Sequence, residues 1–202
     1  MTTSEVASRR PSTQAERRAA TRAALLDATI TCLVEHGYTR TTTGRIAEAA
    51  GVSRGAQLRY FRNRADMVTA AVSRLATLRV ESFIESIGSG PTSAEASIDA
   101  LWEGHQGPLF DATLELWVAA RTDPELRESL IGVERNVATA ILAAARTSLP
   151  ESSSRDGFSD DMIHVLATMR GLALLRLSSG TGPRPLTDLW PHIRAQLIAL
   201  LS

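Results

Sequence analysis

The chain is predicted to be all-α, with about nine helices: three N-terminal helices followed by a longer helical body. Three observations predict it. Apolar residues recur every three or four positions along most of the length, and no stretch alternates as a strand does. Thr, Ser, Asn or Pro stands ahead of many of these periodic segments, and Gly- and Ser-rich runs close them. The 202 residues are 44% apolar, which is enough for a real core and too much for a disordered chain.

The elements follow in order. Residues 1–14 are polar, contain Pro11 and read as a flexible basic arm. A first helix over 15–36 carries Ala24, Leu25, Ala28 and Leu33 at helical spacing, and Gly37 stops it. Thr42 or Thr43 caps a short helix that ends at Gly51. Ser53 caps a third, running to about Tyr60. Asn63 caps a long fourth over 64–87, with Met67, Val68, Ala71, Leu75 and Leu78 on one side. GSGPTS breaks the chain, and helices are predicted over 94–103, 108–122, 124–148, 160–178 and 187–201. GHQG, the Asp123-Pro124 step, PESSSRDGFS and SSGTGPRP separate them. The organisation expected is an arm over 1–14, a head over 15–64 and a body over 65–202.

Net charge is zero, but the charge is segregated. Residues 1–64 hold 11 Arg against five acids, a surplus of six; the remainder holds 11 Arg against 17 acids, the opposite surplus. Every basic residue is Arg. A basic head on an acidic body suits a part that meets a polyanion and a part that does not. No apolar run approaches the roughly 18 residues of a membrane span, and the N-terminus lacks the apolar core of a secretory signal. A cytoplasmic location is expected. Cys32 is the lone cysteine, and no Cys/His cluster has metal spacing. His36, His105, His164 and His192 are scattered, and no paired carboxylates recur as in di-iron bundles. No enzyme activity, metal or cofactor is expected.

A Thr-capped helix, a Gly turn and a Ser-capped helix form the pattern of a helix-turn-helix. Ile46, Ala47 and Ala50 face inward, Gly51 takes the positive φ of the turn and Val52 plugs the gap behind it. The second helix is then free to enter a major groove end first. Thr42 and Thr43 offer hydroxyls and free N–H groups at a helix start to phosphate. Arg54, Arg59 and Arg64 supply charge, Gly55 and Ala56 allow close approach, and Tyr60 offers a phenolic hydrogen bond. Arg59 is the first choice for base readout.

The stretch GYTRTTTGRIAEAAGVSRGAQLRYFRNRADMVTAAV, within a match from about Arg17 to Val72, resembles the DNA-binding domain of the TetR family of bacterial transcriptional regulators. The shared pattern is Gly-Tyr before the threonines, I-A-x-x-A-G-V-S through the turn, and an aromatic ending before an Arg. The resemblance implies a three-helix DNA-binding head followed by a helical ligand-binding and dimerisation body. It implies phosphate contacts for Thr42, Thr43, Tyr60 and Arg64, and places Arg54 and Ala56 near DNA. Leu58 departs from the pattern where a phosphate-binding Tyr is frequent. Gln57 departs where an inward apolar residue is usual; it either buries or turns to a base, where Gln suits adenine. The implied function is a sequence-specific DNA-binding regulator, a repressor released from a near-palindromic operator by a small molecule. The rival is a DNA-binding regulator with no small-molecule ligand.

For the body, the residues themselves suggest an effector site. Trp102, Phe110, Leu114, Trp117, Met162, Leu166 and Met169 form candidate walls for a mostly apolar molecule, with His105 and Arg170 as polar partners for an acid or hydroxyl. The alternative for each is ordinary core packing. The last two long helices read as a homodimer interface through Ala167, Gly171 and Leu174 on one and Leu189, Ile193 and Leu197 on the other.

Overall fold

The computed structural model describes residues 13–88, 90–177 and 186–202. Among these residues lie ten helices and no strand: α1 (Gln14–Arg40), α2 (Thr43–Ala49), α3 (Arg54–Gln57), α4 (Arg64–Ile87), α5 (Ala94–Glu103), α6 (Pro108–Ala120), α7 (Pro124–Ser148), α8 (Pro150–Ser153), α9 (Phe158–Leu177) and α10 (Leu186–Leu201). The tenth is α8, one turn inside the predicted PESSSRDGFS separator. Four residues are too few to show a period, although Pro150 at its start is a helix-opening signal. Of the expected arm, residues 1–12 lie outside the described residues. Thr13 and Gln14 instead open α1 through a capping box, in which Glu16 N–H donates to the Thr13 hydroxyl and Thr13 N–H to the Glu16 carboxylate.

Helix α4 is the spine. Its first half packs on α1, where Leu25, Ile46, Phe61, Met67 and Ala71 form the head core. Leu33, Val68, Val72, Leu116, Leu126 and Leu130 continue that core into α6 and α7. The second half of α4 joins the body core, with Phe83, Ile98, Ile141, Val165 and Met169 among its members. Leu78, predicted on the core side of α4, is 44% exposed. The inward place between Leu75 and Phe83 goes to Arg79, whose guanidinium lies over the Phe110 ring.

The packing of α10 corrects the expected dimer face. Leu197 is 3% exposed within the body core, and Ile193 packs against that core. The reason is that α10 closes this chain's own body. Trp190 stacks on Trp102 of α5 with ring centres 4.4 Å apart, and Arg194 forks onto Asp99 at 2.6 and 2.7 Å. Leu189 is half-buried. The outward side of α10 is instead His192, Ala195, Gln196 and Ala199. On α9, Ala167 and Gly171 are exposed and Leu174 is 52% exposed. Among the described residues, no helix is long and apolar enough to cross a membrane.

Candidate nucleic-acid interface

Local chemistry builds the head. The Thr42 hydroxyl accepts from Arg45 N–H at 3.3 Å, so Thr42 is the cap of α2 and Thr43 its first residue. Ile46 and Ala47 are buried. Gly51 takes φ 64°, and Val52 N–H donates back to the Ala47 carbonyl at 2.9 Å, closing the turn. Ser53 then caps α3, accepting from Ala56 N–H at 3.2 Å. Turn hydrogen bonds from Leu58, Arg59 and Tyr60 carry the segment one turn beyond α3.

At about 100° per residue, residues 54, 55, 58 and 59 fall on one arc and residues 56, 57 and 60 on the other. Burial follows that division. Arg54, Gly55, Leu58 and Arg59 are exposed, and Leu58 is 58% exposed. Ala56 and Tyr60 are half-buried, with Tyr60 packed on the head core. Gln57 is 1% exposed, so of its two readings the inward one holds, and it is no base-reading residue. Its Oε1 is buried without a hydrogen-bond partner. An orphaned buried acceptor costs on the order of 1–3 kcal/mol. Gln57→Met, similar in volume, is therefore expected to raise stability by about 1 kcal/mol and to leave the DNA preference as it was. Thermal unfolding and selection of bound sequences check the two halves.

Arg64 also departs from its expected place. Rather than reaching outward, its guanidinium lies 3.9 Å from the Tyr38 ring centre and donates to the Tyr38 carbonyl, while its Nε is buried without a partner. A cation over a ring is desolvated on one side and held there. Arg64 thus joins α4 to the end of α1. Arg62, by contrast, has a side chain 92% exposed, with its Nε 3.4 Å from the Asp66 carboxylate. The sequence reading passed over it because it lies beyond the helix-turn-helix itself.

Tyr38 bolts the head to the body. Its N–H donates to Glu115 of α6 at 2.6 Å, and its hydroxyl donates to Asp123 at 2.6 Å. Burial, then that bond to Asp123, pushes the phenol up to about 12. Asp123 also caps α7 by accepting from Leu126 N–H at 3.0 Å, and its carboxyl is held below the usual range mainly by the Tyr38 hydrogen bond.

The candidate effector residues divide into two groups. Met162, Leu166 and Met169 are buried in the body core, with Trp102 packed against it. The other group clusters around α6. His105 is 2% exposed and tilts against Phe110 at 4.7 Å, and Phe110 meets Trp117 edge-on at 5.9 Å. Arg170 lies 4.8 Å over Trp117 and pairs with Glu134 at 2.5 Å. Leu114 is buried beside them. Arg79 and Glu134 are members that sequence reasoning missed: each looks like a solvated charge on a long amphipathic helix. Among the described residues, no group of His, Cys, Asp and Glu is placed to hold a metal ion.

Residues 25–71, the span from the head core of α1 to the first half of α4, match the family described as bacterial regulatory proteins, tetR family. An uncharacterized HTH-type transcriptional regulator of Mycobacterium tuberculosis is 32% identical over 181 residues, covering 86% of this chain and 89% of that one. The HTH-type transcriptional regulator CymR of Pseudomonas putida is 31% identical over 169 residues, covering 82% and 83%. The fold is shared with the transcriptional regulator FadR of Bacillus subtilis, solved in complex with stearoyl-CoA, at a TM-score of 0.65 and 18% identity over 89% of this chain and 96% of that one. The head geometry and likeness along most of the length lead to one conclusion: the chain belongs to the TetR family and is a helix-turn-helix, DNA-binding transcriptional regulator.

Proposed function

We propose that the chain acts as a homodimeric repressor that reads a near-palindromic operator and leaves it when a small, largely apolar molecule binds the body. The observation that carries this reading is the outward arc of the recognition segment. It presents Arg54, Gly55, Leu58 and Arg59 together at the capped end of α3. Arg59 reads a guanine edge, Leu58 meets a thymine methyl, and Thr42, Thr43 and Arg54 hold phosphates. Tyr60, half-buried on the other arc, adds a phosphate contact through its hydroxyl. Ala56 keeps the backbone close, and Arg62 joins the phosphate set in place of Arg64.

Dimerisation is supported by the row Ile163, Ala167, Gly171 and Leu174 on α9, spaced by four, four and three residues and exposed along its length. The outward side of α10 beside it completes a four-helix bundle with a second copy. The effector reading rests on α6. This one helix holds Glu115, which bonds the head through Tyr38, and Phe110, Leu114 and Trp117, which face the candidate effector cluster. A molecule that favours another seat for α6 shifts the head with it, and so the separation of the two recognition segments.

Selection of bound sequences from random duplex DNA tests the operator. Two inverted half-sites with centres about 34 Å apart, one helical turn, are expected. Enrichment of a lone half-site, or none at moderate salt, would refute the dimeric reading. In the same assay Arg59→Ala is expected to flatten the preference at one position per half-site, costing about 1–3 kcal/mol on the preferred sequence. Thr43→Ala is expected to weaken all sequences alike.

A further inference from the structure

Two of the basic side chains turned toward the interior of the body have donors without partners, and between them they carry one more positive charge than their acidic neighbour neutralises. Each oxygen of Glu134 already accepts a bond: Trp117 Nε1–H donates to its Oε1 at 3.1 Å and Arg170 to its Oε2 at 2.5 Å. Arg79, on the core side of α4, has the face of Phe110 4.5 Å from its guanidinium carbon. Among the described residues it makes no ion pair. The Nε atoms of Arg79 and Arg170 are both buried without a hydrogen-bond partner. Beside them, His105 Nδ1 sits 2.7 Å from the Leu101 carbonyl. A carbonyl only accepts, so the proton is on Nδ1, and Nε2 is left as a bare acceptor. That Nε2 is buried without a partner, in a side chain 2% exposed.

Arg79 and Arg170 share the single carboxylate of Glu134, which leaves one largely buried positive charge unneutralised at a cost to the fold, and a ligand carboxylate supplies the missing charge. Burial already pulls Arg79 down to about 10, which leaves it charged at neutral pH, and burial pulls His105 down to about 4, which leaves it neutral. The remaining walls are the rings of Phe110 and Trp117. Building on the effector-released reading above, we infer that the effector is a small organic carboxylate with an apolar or aromatic body, its acid group held by Arg79 and Arg170 and a hydroxyl donating to His105 Nε2. The carboxylate accepts from the stranded guanidinium donors, and the planar fork of Arg suits its two oxygens.

The test uses the full-length dimer bound to its selected operator. Benzoate, 4-hydroxybenzoate, salicylate, 4-hydroxycinnamate and octanoate are compared with the uncharged amide of each. At least one acid is expected to release the DNA and to raise the melting temperature by roughly 5–10 °C at 100-fold over its Kd. Its amide is expected to bind at least about tenfold more weakly. Arg79→Met is expected to lose the response to acid while melting higher than the wild type without ligand, because it removes an uncompensated buried charge. Arg79→Lys keeps the charge without the fork and is expected to retain a weakened response. If amides release DNA as well as acids do, the effector reading stands and the carboxylate assignment falls. If neither class acts while operator binding persists, both fall. An Arg79→Met chain that melts lower without ligand shows Arg79 to be a structural member, which also overturns the inference.

Discussion

Leu174→Asp is expected to convert the dimer into a monomer and to weaken binding to a two-half-site operator by about 100-fold or more. Leu174 and Ile163 are 52% and 62% exposed, and with Ala167 and Gly171 they form a continuous row on α9. Apolar side chains left in water in such a row mark a surface that another surface covers. Gly171 sharpens the point, since a Cβ added there would meet nothing within 4 Å. The space above it is open to a close-packed partner helix. A carboxylate in this row is solvated in the monomer and stranded in the bundle, so it opposes association while leaving the fold intact. Losing the second head costs the operator its second anchor, which is where a large factor arises. Sedimentation measures the assembly state, and titration against one and two half-sites measures the coupling. A variant that remained dimeric with wild-type affinity would place the interface elsewhere.

Gly37→Ala is expected to destabilise the protein by about 2–4 kcal/mol, lowering its melting temperature by roughly 10 °C. Gly37 has φ 74° and ψ 170°, inside what is otherwise continuous helix from Gln14 to Arg40. An L side chain rarely takes that conformation. The added Cβ would also lie 2.5 and 2.8 Å from the two Glu115 carboxylate oxygens. Glu115 has to withdraw, and Tyr38 N–H loses its acceptor. Two penalties therefore act on the same junction. Gly51→Ala provides the control: φ is 64°, but open space surrounds the new Cβ, so only the backbone term of about 1–2 kcal/mol is expected. Equal losses in the two variants, by chemical denaturation, would show that Glu115 is not a fixed part of the head–body junction.

The caps were legible residue by residue. Thr42, Ser53 and Asn63 each accept from an N–H three positions on, and Gly51 takes the positive φ that the turn requires. These interactions close within one turn of chain, so neighbours in sequence suffice to decide them. For the same reason the helices fall where periodicity puts them, although α1 resumes beyond the Gly37 kink to Arg40, α3 ends at Gln57 rather than near Tyr60, and α8 is an addition.

Which face of each helix is turned inward was another matter. Sequence alone determined that this chain is a bundle of capped helices with a basic, DNA-reading head, because periodicity, caps and charge segregation are written in local order. Only the tertiary structure decided that Gln57 is buried, that Arg64 clasps Tyr38, that Leu197 belongs to the chain's own core and that Arg79 points at Phe110. An amphipathic helix specifies that one side will be covered, and the same apolar row satisfies a neighbour in the same chain or a second copy equally well. The partner is set by the three-dimensional arrangement of distant helices, as when Trp190 of α10 finds Trp102 of α5.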